Sequence, residues 1–152
     1  MAEDLAGPCG LYCEICTMYR AYKDKDLSFV KEAPVNWLKA LGIPSEPEFK
    51  DIACEGCFSS LIFSFCEQCE IRECVIAKNK QWCYECEEFP CEKLLKFQSD
   101  WKSPIVDNLR EMKKIGVEKW LERLDKEYRC PQCGRKLHWF SYGICPTCSK
   151  KT

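Results

Sequence analysis

Between Cys54 and Cys91 the chain places eight cysteines in thirty-eight residues, and no other feature limits its fold as strongly. They run as Cys54-Glu55-Gly56-Cys57, Cys66-Glu67-Gln68-Cys69, Cys74, Cys83-Tyr84-Glu85-Cys86 and Cys91. Two sulfurs separated by two residues can turn onto one ion through a tight knuckle, which is why tetrahedral thiolate sites use this spacing. A buried cysteine also serves as a small hydrophobe, but that role suits isolated positions and not three C-x-x-C pairs in one segment.

The remaining cysteines extend the pattern in both directions. Cys9, Cys13 and Cys16 open the chain with C-x3-C-x2-C spacing, which gathers three thiolates and leaves a fourth ligand to come from elsewhere. Radical enzymes that use S-adenosylmethionine share this spacing. They usually carry an aromatic residue before the last cysteine, where this chain has Ile15, and they need a barrel of about 200 residues or more. At the other end, Cys130-Pro131-Gln132-Cys133-Gly134 and Cys145-Pro146-Thr147-Cys148 are matching knuckles separated by eleven residues. With a hairpin across Leu137-His138-Trp139-Phe140-Ser141-Tyr142-Gly143, four thiolates would close a zinc ribbon with no open position. His138, the only histidine, is read as a surface or hairpin residue and not as a ligand.

All fifteen cysteines are therefore candidate metal ligands, at about a tenth of 152 residues. The first seven residues have neither a basic start nor an apolar run, so no signal peptide is expected. No apolar stretch is long enough to cross a bilayer. These features predict a reducing, cytoplasmic setting in which thiols hold metal in preference to disulfides. Zn²⁺ is the expected cofactor, with an iron–sulfur cluster in the N-terminal part as the alternative, for which Cys9, Cys13 and Cys16 are candidates. Outside the ribbon eleven cysteines remain, and the spacing leaves their grouping into sites open.

The intervening segments read as short helices. Thr17 to Tyr22 is helical, Asp26 caps a turn through Leu27, Val30 and Lys31, and Pro34 precedes a helix with Val35, Leu38 and Leu41 on one face, ending at Gly42. Gly56 allows a positive φ in its knuckle. Leu61-Ile62-Phe63-Ser64-Phe65 reads as a strand or a buried stretch, and short helices follow at Ile71–Ala77 and from Cys91. Cys66, Cys69 and Cys74 recur seventeen residues later as Cys83, Cys86 and Cys91, a candidate duplicated loop. Ser103-Pro104 starts a helix with Ile105, Leu109 and Met112 inward, stopped by Gly116, and Val117, Trp120, Leu121 and Leu124 form the next. The expected fold is a small metal-stabilised α+β protein: an irregular cysteine-rich domain over 1–100, a helical connector over 101–128 and a ribbon hairpin over 129–152.

Charge and motifs narrow the function. Residues 1–100 carry 11 Lys and Arg against 18 Asp and Glu, and residues 101–152 carry 12 against 6. An anionic macromolecular partner, protein or nucleic acid, would therefore meet the C-terminal part, with Trp139, Phe140 and Tyr142 as candidate stacking residues. A Ser/His/Asp set is not available to a chain whose one histidine lies in the ribbon, and no glycine-rich phosphate loop occurs. The acidic residues Glu67, Glu70, Glu73, Glu85, Glu87, Glu88 and Glu92 read as a solvated surface. The balance points away from catalysis and toward a zinc-binding adaptor module. The alternatives are an iron–sulfur redox or catalytic protein and a metal or thiol-redox sensor.

The segments Cys9–Cys16, Cys54–Cys57, Cys66-Glu67-Gln68-Cys69-Glu70-Ile71-Arg72-Glu73-Cys74 and Cys83-Tyr84-Glu85-Cys86-Glu87-Glu88-Phe89-Pro90-Cys91-Glu92-Lys93-Leu94 together resemble a prokaryotic cysteine-rich family known as domain of unknown function 3795. The resemblance covers about residues 9–97. It implies a bacterial or archaeal cytoplasmic protein with cysteine-bound metal, and it brings no activity with it.

Overall fold

A computed structural model describes residues 5–31, 33–138, 145 and 147–149. Its regular elements are eight α-helices: α1 (Thr17–Asp24), α2 (Ser28–Lys31), α3 (Val35–Ala40), α4 (Ser64–Glu67), α5 (Glu70–Ala77), α6 (Glu92–Trp101), α7 (Ile105–Ile115) and α8 (Val117–Glu127). Short 3-10 turns lie at Cys13–Ile15, Phe49–Ile52 and Cys83–Glu85. Among the described residues there is no strand, only two isolated antiparallel bridges, Ala6 with Tyr12 and Arg129 with Lys136. The protein is thus small, cysteine-rich and predominantly helical. The β component of the expected α+β fold does not occur among the described residues, and most of the expected hairpin, residues 139–143, lies outside them. No described helix is long and apolar enough to cross a membrane.

Helices α7 and α8 are the longest and the most regular. Ile105, Leu109 and Met112 recur at helical spacing and are almost fully buried, as are Val117, Trp120, Leu121 and Leu124 on α8. Gly116, at φ +87° and ψ 150°, ends one helix and starts the other, so the pair turns on a single residue that only glycine adopts without strain. Arg123 on α8 pairs with Glu111 on α7 at 2.6 Å. The N-terminus of α7 is capped from a distance: Val106 N–H donates to Gln98 Oε1 of α6 at 3.0 Å, and the cap position itself is Pro104, one residue later than Ser103.

Two apolar clusters organise the chain. The first joins Ala6, Cys9 and Tyr12 to α5, α6, α7 and α8, with the Trp120 ring set edge-on to Tyr12 at 6.1 Å. The second gathers α1, Val30, Leu38, Ile52 and Phe63 around Cys13 and Cys54. Gly10 sits where the N-terminal segment crosses α7. Its φ is +85°, and a Cβ there would lie 2.7 Å from the Ile105 carbonyl oxygen and 2.9 Å from Leu109 Cγ. Asn108 Nδ2 donates to the Gly10 carbonyl at 2.8 Å, fixing the crossing.

Two expectations are corrected. Leu38 and Leu41 are buried, but Val35 is 58% exposed, because α3 is only six residues long and its first turn stands beyond the cluster. The stretch 61–65 is not a strand: Phe63 points inward, Leu61 and Phe65 are exposed, and α4 begins at Ser64. Asp26 does cap α2, accepting from Ser28 N–H at 2.9 Å.

Candidate metal centres

The C-terminal group starts where α8 ends. Cys130 N–H donates to the Arg135 carbonyl and Gly134 N–H to the Cys130 carbonyl, both at 2.8 Å, with Gly134 at φ +72°. The second knuckle closes in the same way, Ser149 N–H donating to the Cys145 carbonyl at 2.8 Å. These turns place Cys130 Sγ 3.6 Å from Cys148 Sγ and Cys133 Sγ 3.6 Å from Cys145 Sγ. All four sulfurs lie within 4.8 Å of one another. A tetrahedron with Zn–S bonds of about 2.3 Å has S···S edges of about 3.8 Å, so the group fits one ion and is too tight to surround a multi-iron core. Cys130 and Cys145 are buried and Cys133 is exposed. Burial opposes ionisation of Cys145, but backbone N–H groups of Cys148 and Thr147, with the Cys133 and Cys130 thiols, bring its pKa down to about 6. This arrangement fits a zinc ribbon.

The group is anchored to the rest of the chain by buried and charged contacts. Lys136 pairs with Glu14 of the first 3-10 turn and with Asp125 of α8 at 3.0 Å. Arg135 lies 3.8 Å from Asp26. His138 is only 7% exposed, its Nδ1 3.2 Å from Thr17 Oγ1 at the start of α1. The surface position expected for it is therefore corrected: the histidine is part of the docking contact. Burial, together with Arg135 and Arg20, lowers its pKa from 6.5 to about 4, so it is neutral. Trp139, Phe140 and Tyr142, the candidate stacking residues, lie outside the described residues.

The other eleven cysteines are held mostly by knuckles of one design. In three C-x-x-C pairs the N–H of the second cysteine donates to the carbonyl of the first: Cys16 to Cys13 at 2.9 Å, Cys69 to Cys66 at 3.3 Å and Cys86 to Cys83 at 3.1 Å. The fourth pair, Cys54 and Cys57, turns through Gly56 at φ +108°, and Arg72 Nε donates to the Cys57 carbonyl at 2.7 Å. Cys57 meets Cys13 in a hydrogen bond that raises the Cys13 pKa and, with the Arg72 charge, lowers that of Cys57. Cys9 Sγ and Cys57 Sγ flank Gly7, each 3.5 Å from where a Cβ on that residue would lie.

Cys9, Cys13 and Cys16 do not form a group whose sulfurs all lie within 4.8 Å of one another, although Cys57 neighbours both Cys9 and Cys13. Cys9 packs in the first cluster and Cys13 in the second, and both are buried. Cys74, Cys83, Cys86 and Cys91 line one small cleft. None of the fifteen cysteines is in a disulfide. Burial and neighbouring thiols raise the pKa of Cys16 to about 11 and of Cys83 to about 12, so crowding keeps these groups neutral where no cation balances them. The seven glutamates of this region are exposed, as their composition suggests. The sequence reading missed Lys78, whose Nζ is 3.4 Å from Cys86 Sγ, and Arg72; neither belongs to a motif, and only the folded chain places them beside sulfur-bearing turns.

Comparison with known proteins places the cysteine pattern. No curated protein and no solved structure matches the chain. The profile of a family described as Protein of unknown function (DUF3795) matches residues 5–96, which take in all eleven N-terminal cysteines and end before α7. The chain belongs to this family.

Proposed function

We propose that the protein binds zinc through the C-terminal four cysteines and through thiolates of the N-terminal part, and serves as a non-catalytic docking module. The observation that carries this reading is the convergence of Cys130, Cys133, Cys145 and Cys148 within 4.8 Å. A filled four-thiolate shell leaves no coordination position for substrate, which suits a structural ion. Zinc is favoured over iron because an ion without redox chemistry or a d-electron preference accepts this geometry without cost. Such an ion stabilises by about 10–16 kcal/mol of apparent binding free energy at neutral pH, a large supplement for helices this short. Thiols in this number favour a reducing compartment such as the cytoplasm.

The docking role rests on charge. Arg123, Arg129 and Lys136 are neutralised by Glu111, Asp125 and Glu14. Lys113 and Lys114 in the last turn of α7, with Lys119 and Lys126 on α8, have no ion partner among the described residues and form the surface offered to an anionic macromolecule.

Elemental analysis of the full chain purified without oxygen tests the reading. Stoichiometric zinc, reduced by one ion per chain in a Cys133→Ser, Cys148→Ser variant, is the expected result. A folded, zinc-free protein, or one whose bound metal is iron alone, overturns it.

A further inference from the structure

The four-thiolate group at the C-terminus has a counterpart against the first apolar cluster, which includes Cys83 and packs against Cys91. Cys74 lies within α5, Cys83 and Cys86 bracket the 3-10 turn Cys83–Glu85, and Cys91 is the N-cap of α6. These four, from three separate elements, line one cavity of about 30 Å³, whose wall is completed by the apolar Val75, Trp82, Phe89 and Leu94 and by the exposed Lys78, Lys80 and Glu88. That volume is enough to admit one water-sized species. Four cysteines around one small cavity suit a single tetrahedral ion.

We infer that Cys74, Cys83, Cys86 and Cys91 form a second, independent four-thiolate site for a single zinc ion. Three features support it. The knuckle hydrogen bond from Cys86 N–H to the Cys83 carbonyl, at 3.1 Å, fixes two of the ligands in a turn made for one ion. Lys78 Nζ stands 3.4 Å from Cys86 Sγ and 2.5 Å from Glu88 Oε2, so an ammonium donor already faces the sulfur. Four thiolates on a divalent ion carry a net charge of −2, and metal sites place such donors around their ligands. Finally, Trp82 and Leu94 are 3% and 1% exposed, so the inner wall of the cavity is dry and strengthens attraction between thiolate and cation.

The C-terminal four are the only such group among the described residues whose sulfurs all lie within 4.8 Å, so the sulfurs around this cavity stand wider. Rotation about a Cα–Cβ bond swings a thiol sulfur between staggered positions, and this is the adjustment that ion binding requires of the site. This site uses four of the eleven N-terminal cysteines and leaves Cys9, Cys13, Cys16, Cys54, Cys57, Cys66 and Cys69 for the remaining chemistry. It divides the seventeen-residue repeat: Cys74 serves with the second copy, and Cys66 and Cys69 do not.

The inference rests on the reading of the chain as a zinc protein, and one experiment separates the two. The full-length zinc-bound protein is treated with iodoacetamide at increasing chelator, and labelling at each cysteine is followed by mass spectrometry. Cys74, Cys83, Cys86 and Cys91 are expected to be protected together and to become reactive in one step, apart from the C-terminal four. Zinc content is measured in parallel for Cys74→Ser, Cys86→Ser and for Cys133→Ser, Cys148→Ser, each expected to lose one ion per chain. Labelling of the four at unrelated rates, insensitive to chelator, overturns the second site while the C-terminal zinc stands. Absence of zinc from the wild-type chain overturns both. The labelling needs no substitution, so a variant that fails to fold leaves the result decisive.

Discussion

Thr17 Oγ1 and His138 Nδ1 meet at 3.2 Å inside the protein, although 121 residues separate them in the chain. Thr17 is the first residue of α1, directly after Cys16, and His138 follows the first knuckle of the C-terminal group. Lys136 bonds to Glu14 in the same region. The C-terminal thiolate group is therefore docked by a buried polar pair and an ion pair onto the turn that carries Cys13 and Cys16. Order at one set of cysteines is thereby coupled to order at another.

The histidine gives this contact a pH dependence. Its pKa of about 4 in the folded chain lies below the ordinary 6.5, because burial disfavours the imidazolium. Between pH 6.5 and 4 the unfolded chain takes up a proton that the folded chain refuses. The stability present above pH 6.5 is therefore lost as pH falls through this window. Between pH 7 and 5, wild type should lose on the order of 1–2 kcal/mol more than His138→Gln, which cannot titrate. Urea midpoints at the two pH values measure the difference, and equal losses would show that the imidazole is not held neutral.

A second prediction concerns the crossing of the N-terminal segment over α7. Gly10→Ala introduces a methyl group 2.7 Å from a backbone oxygen and places alanine at φ +85°. Backbone cannot move aside as a flexible side chain does, so the loss should exceed about 3 kcal/mol. Gly42→Ala, at φ +71° in open space, carries only the conformational penalty of about 1–2 kcal/mol. Denaturant unfolding of the two variants gives the comparison. Equal losses would remove the steric account.

The helices α7 and α8 were legible in the sequence because their signals are local: apolar spacing, a stop at Gly116, and a proline near the start. The single-turn elements were not. Val35 obeys the period of α3 but lies beyond its neighbours, and Phe65 belongs to a helix whose length gives periodicity nothing to act on. The cysteine turns were legible for the same reason as the long helices, since C-x-x-C spacing is a local geometry. Which turns face one another is a tertiary fact. Cys9 and Cys13, four residues apart, enter different apolar clusters, whereas Cys74 and Cys91 line one cavity from two helices.

The cap on α7 shows the same limit and yields a third prediction. Ser103 reads as the cap, but the N–H of Val106 is satisfied by Gln98 from α6. Gln98→Ala leaves this partly buried donor without its partner and should cost about 1 kcal/mol, as loss of a side-chain cap does. Gln98→Glu keeps an acceptor and adds a negative charge near the N-terminus of a helix, so it should retain most of the stability. Thermal unfolding of both variants tests this, and equal losses would assign the role of Gln98 to packing.

Metal removal supplies the fourth. The order of residues 129–138 rests on few backbone contacts: Cys130 N–H to the Arg135 carbonyl, Gly134 N–H to the Cys130 carbonyl and Leu137 N–H to the Tyr128 carbonyl, each at 2.8 Å. Helices α7 and α8, by contrast, bury Leu109, Met112, Trp120 and Leu124 against each other and the N-terminal segment, with no cysteine on either helix. Chelation should therefore open the C-terminal group before the helical pair, because segments with few buried apolar contacts have the lowest local opening free energies. In hydrogen exchange followed by mass spectrometry, amides of 130–137 should lose protection on addition of chelator while those of 105–127 largely keep theirs. Uniform loss over both segments would mean that metal supports the helical core as well. No change at 130–137 would mean that the four sulfurs are held together without an ion.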